Sequence, residues 1–316
     1  MSPSIERVAE YAWRYVAQNI QRPGRSTIQA MAANEVIPIS QLINLLWFAL
    51  IALSFLWPVY KSRQTARQRI DLIRRLERKR GSRVVTLVHR QEAISILGIP
   101  IARYINIEDS EEILRVIRLT REDLPIDLIL HTPGGLVLAA EQIALAMRRH
   151  KGKVTVLVPH YAMSGGTMLA LAADEIVMDE NAVLGPVDPQ IGSFPAASIL
   201  AAVERKAIDR VDDETLIMAD IARKAVTQVK DTLTHILADK MDQTSAAEIA
   251  DVLTKGYWTH DYPLTVDDLQ KMRLNVNTGM PKEVYMLMDL YPQPPGRRPS
   301  VLYIPMPYRR ENGSQG

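Results

Sequence analysis

An uncharged run from Leu42 to Tyr60 is the feature that most constrains how this chain can fold. It reads LINLLWFALIALSFLWPVY, and its clearly polar residues are Asn44 and Ser54. A helix that spans the hydrocarbon core of a bilayer needs roughly 17–25 such residues. Tryptophan is enriched at membrane interfaces, which suits Trp47 and Trp57. The run therefore predicts a single transmembrane helix over residues 42–60.

Two other interpretations of this run are a buried core helix and a cleaved signal peptide. A core helix usually keeps a polar face over such a length. A signal peptide begins with a short basic region and ends at small residues, whereas a long mixed segment precedes this run. Both features favour a retained anchor.

Basic residues are distributed unequally around the run. The basic residues of segment 21–40 are Arg22 and Arg25 alone, whereas segment 61–80 is rich in lysine and arginine. Basic flanks are retained on the cytoplasmic side, and they also bind anionic headgroups. We therefore expect a single-pass protein of the cell membrane, with residues 1–41 outside, residues 61–82 as a basic juxtamembrane linker and the remaining chain cytoplasmic.

Overall composition excludes several kinds of chemistry. Cysteine is absent, which removes disulfides and thiolate nucleophiles. The 38 basic and 36 acidic side chains are too balanced for a nucleic-acid binder. The sequence contains no P-loop, GxGxxG, HExxH or EF-hand spacing, so no cofactor or metal is expected.

Beyond Gly81, short β-rich runs alternate with helical patterns, which is typical of a parallel α/β domain. The predicted strands are residues 84–88, 126–130, 154–158 and 175–178. The predicted helices are residues 136–147, 163–173, 213–240 and 245–254. We expect this domain to cover residues 83–275, followed by a Pro/Arg-rich tail over residues 276–316.

Two glycine pairs follow predicted strands. HTPGG brings Gly134 and Gly135 to a strand-to-helix turn, where bare backbone amides can stabilise an oxyanion. AMSGG brings Ser164 to a second such turn before an apolar helix, an arrangement that resembles a nucleophile elbow. The alternatives are a simple tight turn for the first motif and a helix N-cap for the serine.

The motifs HTPGG, AMSGGTMLALAADEIVMD, LGPVDPQIG, PAASIL, DDETLIMADIARKA and THDYP together resemble the serine dehydrogenase proteinase family. This family consists of membrane-anchored peptidases related to Clp protease and signal peptide peptidase A. The resemblance covers roughly residues 84–265 and the anchor. It implies an α/β, Clp/crotonase-like β/α spiral domain preceded by one transmembrane helix, and assembly into a homo-oligomer.

The same resemblance implies the roles of individual residues. Ser164 matches the nucleophile, and Gly134, Gly135 and Leu136 match the turn whose amides polarise the scissile carbonyl. The amide of Gly165 is expected to join them.

The general base is less certain from the motifs, because the Clp family has a histidine where this chain reads AVLGPVDPQIG. Signal peptide peptidase A uses a lysine before a long helix, which corresponds to Lys206. Such a lysine needs burial or a nearby cation to act near neutral pH. Lys224 and His160 are the alternatives, and Asp188 is expected to orient a base or to hold its loop.

These features predict a serine endopeptidase that cleaves peptides or proteins, including membrane proteins, through Ser164 and Lys206. A crotonase-like acyl-CoA enzyme is one alternative, because paired amides also hold a thioester enolate. A non-catalytic membrane scaffold of the same fold is the other.

Overall fold

The computed structural model describes residues 39–89, 95–96, 99–100 and 104–291, with only the backbone of residues 39–42, 45, 52, 55, 95–96 and 99–100. The chain divides into two compact units, Met1–Arg67 and Gln68–Gly316. Helix α1, Ile39–Arg80, begins in the first unit.

The predicted anchor over residues 42–60 lies in α1. Its Trp47 and Trp57 side chains are about 60% exposed. Among the described residues, no helix combines the length and apolar character that a membrane crossing requires. Four side chains within residues 42–60, and residues 1–38 of the predicted outer segment 1–41, lie outside the described part of the chain. The transmembrane helix therefore stays a prediction.

Short strands and helices alternate along the second unit. The strands are β1 (Arg83–Val88), β2 (Ser95–Ile96), β3 (Ile99–Pro100), β4 (Ile126–His131), β5 (Val154–Val158), β6 (Tyr161–Ala162), β7 (Glu175–Met178), β8 (Val183–Leu184), β9 (Gln190–Ile191), β10 (Phe194–Pro195) and β11 (Val276–Asn277). The further helices are α2 (Ile107–Leu119), α3 (Val137–Arg149), α4 (Gly165–Ala172), α5 (Ala196–Glu204), α6 (Asp213–Leu237), α7 (Gln243–Thr254), α8 (Val266–Lys271) and α9 (Lys282–Asp289), with a 3-10 turn at Ile208–Arg210.

Five strands form one parallel sheet in the order β1-β4-β5-β7-β11. The first four are the strands that the sequence predicts, so the parallel α/β fold is confirmed. All residues of β4 and β5 are buried, as expected for a parallel sheet covered on both faces.

Alternate residues of each central strand face two different cores. In β4, Leu128 and Leu130 pack in the larger core with α3, α4 and α6, whereas Ile129 packs in a smaller core on the other face. Val156 and Leu157 of β5 are divided in the same way. This period of two follows from the pleat of the strands and gives a sheet between two helical layers.

The domain begins earlier and ends later than the predicted boundaries of 83 and 275. Leu72 and Leu76, near the end of α1, belong to the smaller core rather than to a linker. At the other end, β11 pairs with β7, and the α9 residues Val284 and Leu287 enter the same core. Residues 276–289 are therefore part of the fold, because their apolar side chains cover the sheet, and the predicted tail lies outside the described residues from 292 onward.

Candidate active site

The turn after β4 is held in place by a short backbone bridge. Ile105 donates its amide to the Gly134 carbonyl at 2.7 Å and accepts the Leu136 amide at 2.8 Å. Thr132 is linked to the chain before Ser164, since the Met163 amide donates to the Thr132 carbonyl at 2.9 Å. These bonds bring both predicted glycine turns together at the carboxyl ends of β4 and β5, where parallel sheets commonly bind ligands.

Both glycines of this turn are required by close contacts. Gly134 has a φ of +106°, and a Cβ atom there would lie 2.8 Å from the Cβ of Ser164. A Cβ atom on Gly135 would lie 2.2 Å from the backbone oxygen of Ile105. Gly134 therefore lets the main chain approach the serine, and Gly135 lets it approach the Ile105 backbone, more closely than any side chain would permit.

Ser164 has a backbone conformation that non-glycine residues rarely adopt, with φ 51° and ψ −116°. It directly precedes α4, but its side chain makes no capping hydrogen bond. The simple N-cap interpretation therefore does not apply. Strain of this kind costs about 1–3 kcal/mol and is concentrated at functional sites.

Two backbone amides beside Ser164 donate no hydrogen bond within the described part of the chain, namely those of Gly135 and Gly165. They are close neighbours, since a Cβ atom on Gly165 would lie 3.6 Å from the Gly135 nitrogen. The Leu136 amide donates to Ile105, and the Gly134 amide donates to the Thr132 hydroxyl at 3.2 Å. Of the four predicted donors, Gly134 and Leu136 therefore have their amides engaged elsewhere, because alternate amides of the bridged turn point to opposite sides, and the amides of Gly135 and Gly165 remain as candidates.

Ser164 lines a pocket of about 300 Å³. Its apolar wall includes Met168, Val187 and Val229. Its polar side is formed by Ser164, Gly135, Gly165, Asp188, Gln190 and His260. The pocket therefore combines a hydroxyl, two amide donors, a carboxylate and an imidazole.

Asp188 and His260 are hydrogen-bonded in this pocket, with 2.8 Å between Oδ1 and Nδ1. The Asp188 side chain is 1% exposed, and that of His260 is 35% exposed. The Asp188 hydrogen bond raises the pKa of His260 above its usual value, although burial of the ring acts in the opposite direction. The predicted orienting role of Asp188 thus has an observed partner.

The predicted bases lie elsewhere on the described surface. Lys206 is exposed beyond the end of α5 and does not line the pocket. Lys224 is exposed on α6 and pairs with Asp220, with 2.5 Å between Nζ and Oδ2. His160 is exposed, with its ring stacked against that of His131 at 5.9 Å. The pocket thus offers His260, which the sequence analysis did not name as a site residue although it quoted the motif THDYP.

The buried hydroxyl of Thr132 holds the glycine turn after β4 in place. Thr132 is fully buried, and its Oγ1 contacts His89 Nδ1 at 2.9 Å in addition to accepting the Gly134 amide. In the described residues, no group of three or more His, Cys, Asp or Glu side chains could hold a metal ion. The Thr132 hydroxyl therefore joins the glycine turn to His89.

We expect Thr132→Val to lower the free energy of unfolding by about 1–3 kcal/mol, because the Gly134 amide loses its buried acceptor. Thr132→Ser keeps the hydroxyl and removes one methyl group, so it should cost only about 1 kcal/mol. Urea denaturation of the two variants measures the difference. An equal or smaller loss in the valine variant would contradict a supporting role for the hydroxyl.

Comparison with known proteins gives a consistent family. The family model described as ClpP-like SDH-type serine proteinase matches residues 33–316. The uncharacterized protein MJ1495 of Methanocaldococcus jannaschii is 56% identical over 273 residues, which cover 86% of this chain and 93% of that protein. The uncharacterized protein MJ0137 of the same organism is 51% identical over 286 residues, covering 90% of this chain and all of that protein.

Two further similarities are more limited. The probable protease SohB of Haemophilus influenzae is 39% identical over 82 residues, which cover 24% of this chain and 23% of that protein. Among solved structures, a mutant of the 1510-N membrane-bound stomatin-specific protease has 20% sequence identity and a TM-score of 0.39. That match covers 58% of this chain and 79% of the other.

Proposed function

This chain belongs to the ClpP-like SDH-type serine proteinase family, and on that premise we propose that it hydrolyses peptide bonds with Ser164 as the nucleophile. The observation that carries the proposal is that Ser164 lines one pocket with two backbone amides that donate no hydrogen bond within the described residues. Because a tetrahedral intermediate develops negative charge on its oxygen, paired amides beside a nucleophile favour acyl transfer.

The proposed reaction has two halves. Ser164 Oγ attacks the scissile carbonyl carbon and gives its proton to a base, while the carbonyl oxygen becomes an oxyanion that the Gly135 and Gly165 amides bind. Collapse breaks the carbon–nitrogen bond, and the protonated base gives its proton to the leaving amine. Water then attacks the acyl-serine in the same manner and releases the acid and the free hydroxyl.

The shape of the pocket supports a peptide as the substrate. Apolar Met168, Val187 and Val229 can contact the side chain next to the scissile bond, while Ser164 approaches its carbonyl. A crotonase-like enzyme would use the paired amides alone, so the strained serine would have no function there. The serine therefore favours hydrolysis over acyl-CoA chemistry.

The proposal includes attachment to the cell membrane through residues 42–60, with the catalytic domain cytoplasmic and membrane proteins among its substrates. It is supported by the uncharged run and by the basic residues that follow it. A homo-oligomer is proposed as well. Exposed Ile217 and Ile221 on α6 support it, since exposed apolar patches commonly mark protein interfaces.

An active-site-directed fluorophosphonate tests this function. We expect it to label the full-length protein on Ser164 and to leave Ser164→Ala unlabelled, because only an activated hydroxyl displaces the leaving group. Ser198→Ala, at an exposed serine of α5, is the matched control and should be labelled as the wild type is. Equal labelling of Ser164→Ala and wild type would remove Ser164 from the mechanism.

Substrate assays separate the competing functions. Cleavage of casein or a hydrophobic peptide by the wild type, lost in Ser164→Ala, supports the peptidase. Binding of coenzyme A without any peptide cleavage would support the crotonase-like alternative. Absence of both labelling and cleavage would favour the scaffold and overturn the proposal.

A further inference from the structure

A carboxylate and an imidazole meet beside the nucleophile in an arrangement that the family resemblance did not suggest. We propose that His260 is the general base that takes the proton of Ser164, and that Asp188 is the positioning residue that orients the His260 ring. This inference rests on the proposed function and replaces the predicted Lys206 with a different group.

The two segments that carry this pair are tied together by the main chain. Leu184 and Leu264 exchange both backbone hydrogen bonds, at 3.0 and 2.9 Å. Val187, next to Asp188, donates its amide to the Leu253 carbonyl at 2.8 Å. The His260 loop is thus fixed against the Asp188 segment on both sides, which is what a preorganised catalytic pair requires.

The loop around His260 is also stiffened by its own aromatic residues. Trp258 and Tyr262 stack with ring centroids 5.0 Å apart and an interplanar angle of 8°. The Tyr262 amide closes a turn on the Thr259 carbonyl at 3.0 Å. His260 lies between these two residues in sequence, so its backbone is held although its side chain is 35% exposed.

The Asp188 segment is connected to the nucleophile turn through a buried hydroxyl. Thr167 of α4 donates to the carbonyls of Ala162 and Gly185, at 2.9 and 2.8 Å, and accepts the Gly185 amide at 3.0 Å. Ala162 lies two residues before Ser164. The Thr167 side chain therefore links the segment that carries Ser164 to the segment that carries Asp188.

The hydrogen bonds of Asp188 determine which ring nitrogen can act. His260 Nδ1 donates to Asp188 Oδ1, which leaves Nε2 as the nitrogen that can accept a proton. The other carboxylate oxygen, Oδ2, accepts from Gln190 Nε2 at 2.7 Å. With both oxygens bound, the carboxylate is held in one orientation and holds the imidazole in one tautomer.

The electrostatics of the pair suit a base that works near neutral pH. Asp188 is buried beneath the ring, so its charge acts on His260 with little screening. Its hydrogen bond raises the pKa of His260, burial lowers it, and Asp261 adds a smaller favourable charge. Asp188 therefore stabilises the imidazolium that forms when His260 takes a proton.

Lys206 lacks the setting that a lysine base needs. Its side chain is exposed, and it lies between the end of α5 and the 3-10 turn Ile208–Arg210 rather than in the pocket. Lysine acts as a base near neutral pH only where burial or a neighbouring cation destabilises its charged form. His260 already has a suitable proton affinity and lines the pocket of Ser164.

In the resulting step, the proton of Ser164 Oγ moves to His260 Nε2 while Oγ bonds to the carbonyl carbon. The imidazolium stays paired with Asp188 and then gives its proton to the leaving amine as the carbon–nitrogen bond breaks. Water repeats the cycle on the acyl-serine. Each half-reaction returns His260 to its neutral form.

Rates of peptide cleavage by the full-length protein test the assignment. His260→Gln should lower kcat about 10²–10⁴-fold with little change in KM, because it removes proton transfer and leaves the pocket in place. His235→Gln, the same change at an exposed histidine of α6, is the matched control and should retain the wild-type rate. Lys206→Ala should lower the rate far less than His260→Gln.

The pH profile and chemical rescue separate catalysis from structure. Since neutral His260 is the active form and its pKa is raised above 6.5, kcat/KM should fall as the pH drops through a value above 6.5. Asp188→Asn should lower kcat and move this acidic limb to lower pH. Added imidazole should restore part of the activity of His260→Ala, which a merely misfolded variant would not show.

The outcomes distinguish the two proposals. If Ser164→Ala is inactive while His260→Gln keeps the wild-type rate and Lys206→Ala loses it, the peptidase stands and the histidine base is wrong. If Ser164→Ala cleaves as well as wild type, the proposed function itself fails. An acidic limb that persists unchanged in Asp188→Asn would overturn the positioning role of Asp188.

Discussion

Replacement of Ser164 by glycine is expected to abolish peptide hydrolysis and, at the same time, to raise the free energy of unfolding. The hydroxyl is the proposed nucleophile, so its removal should lower kcat by about 10⁴–10⁶-fold, as in other serine peptidases. The positive φ of 51° strains serine by about 1–3 kcal/mol, whereas glycine adopts it freely. After about 0.5–1 kcal/mol for the greater entropy of unfolded glycine, a gain of about 1 kcal/mol remains.

Ser164→Ala separates the two effects. Alanine also lacks the nucleophile, but its Cβ atom keeps the backbone strain, so this variant should be inactive without being stabilised. Urea denaturation and peptide cleavage of both variants provide the measurements. If Ser164→Gly is less stable than Ser164→Ala, the backbone conformation of Ser164 does not destabilise the folded protein.

Replacement of Gly135 by alanine is expected to remove activity and to destabilise the protein together. The new Cβ atom would lie 2.2 Å from the Ile105 oxygen and 2.3 Å from its nitrogen, and backbone atoms cannot rotate away as a flexible side chain can. Overpacking of this kind costs typically 1–3 kcal/mol. Loss of one oxyanion donor lowers kcat about 10²–10³-fold, and displacement of the whole turn should add to this.

Gly279→Ala is the matched control, because a Cβ atom there meets no atom within 4 Å. Its stability should change by no more than about 0.5 kcal/mol, and its activity should equal that of the wild type. Cleavage rates and urea midpoints of both variants are compared. Because alanine keeps the backbone amide, only displacement of the turn can lower activity, so wild-type activity and stability in Gly135→Ala would contradict the close approach of Gly135 to Ile105.

The nucleophile turn could be predicted because its signals are local. A buried strand, two glycines and an apolar helix follow one another around Ser164, and each has a physical reason visible in a short window of sequence. The direction of single amides could not be predicted. Leu136 was expected to bind the oxyanion, but its amide points toward Ile105, which pairs with the turn from a distant segment.

The pairing of Asp188 with His260 was also not predictable, because the two residues are distant in the sequence. A carboxylate beside proline in GPVDPQ predicts either a loop contact or an orienting role, and both interpretations were open. His260 is brought to it by backbone bonds between distant segments, among them the bridge between Leu184 and Leu264, which no periodic pattern predicts. A buried aspartate needs a partner, so the histidine of the motif THDYP was the one available signal for this pair.

The end of the domain was also difficult to predict. Strand β11 has only two residues, Val276 and Asn277, which is too short for an alternating pattern to stand out. Helix α9 buries Val284, Leu287 and Met288 against the sheet, but the helix is too short for its apolar spacing to be distinctive in the sequence. Tertiary packing, rather than local preference, defines this part of the fold.

The last strand among the described residues, β11, completes an edge of the sheet. During translation, Ser164 emerges well before His260, and β11 and α9 follow later still. On the proposed mechanism, a nascent chain therefore carries Ser164 before its proton acceptor, and a sheet without β11. It would remain inactive until the segment through α9 has left the ribosome.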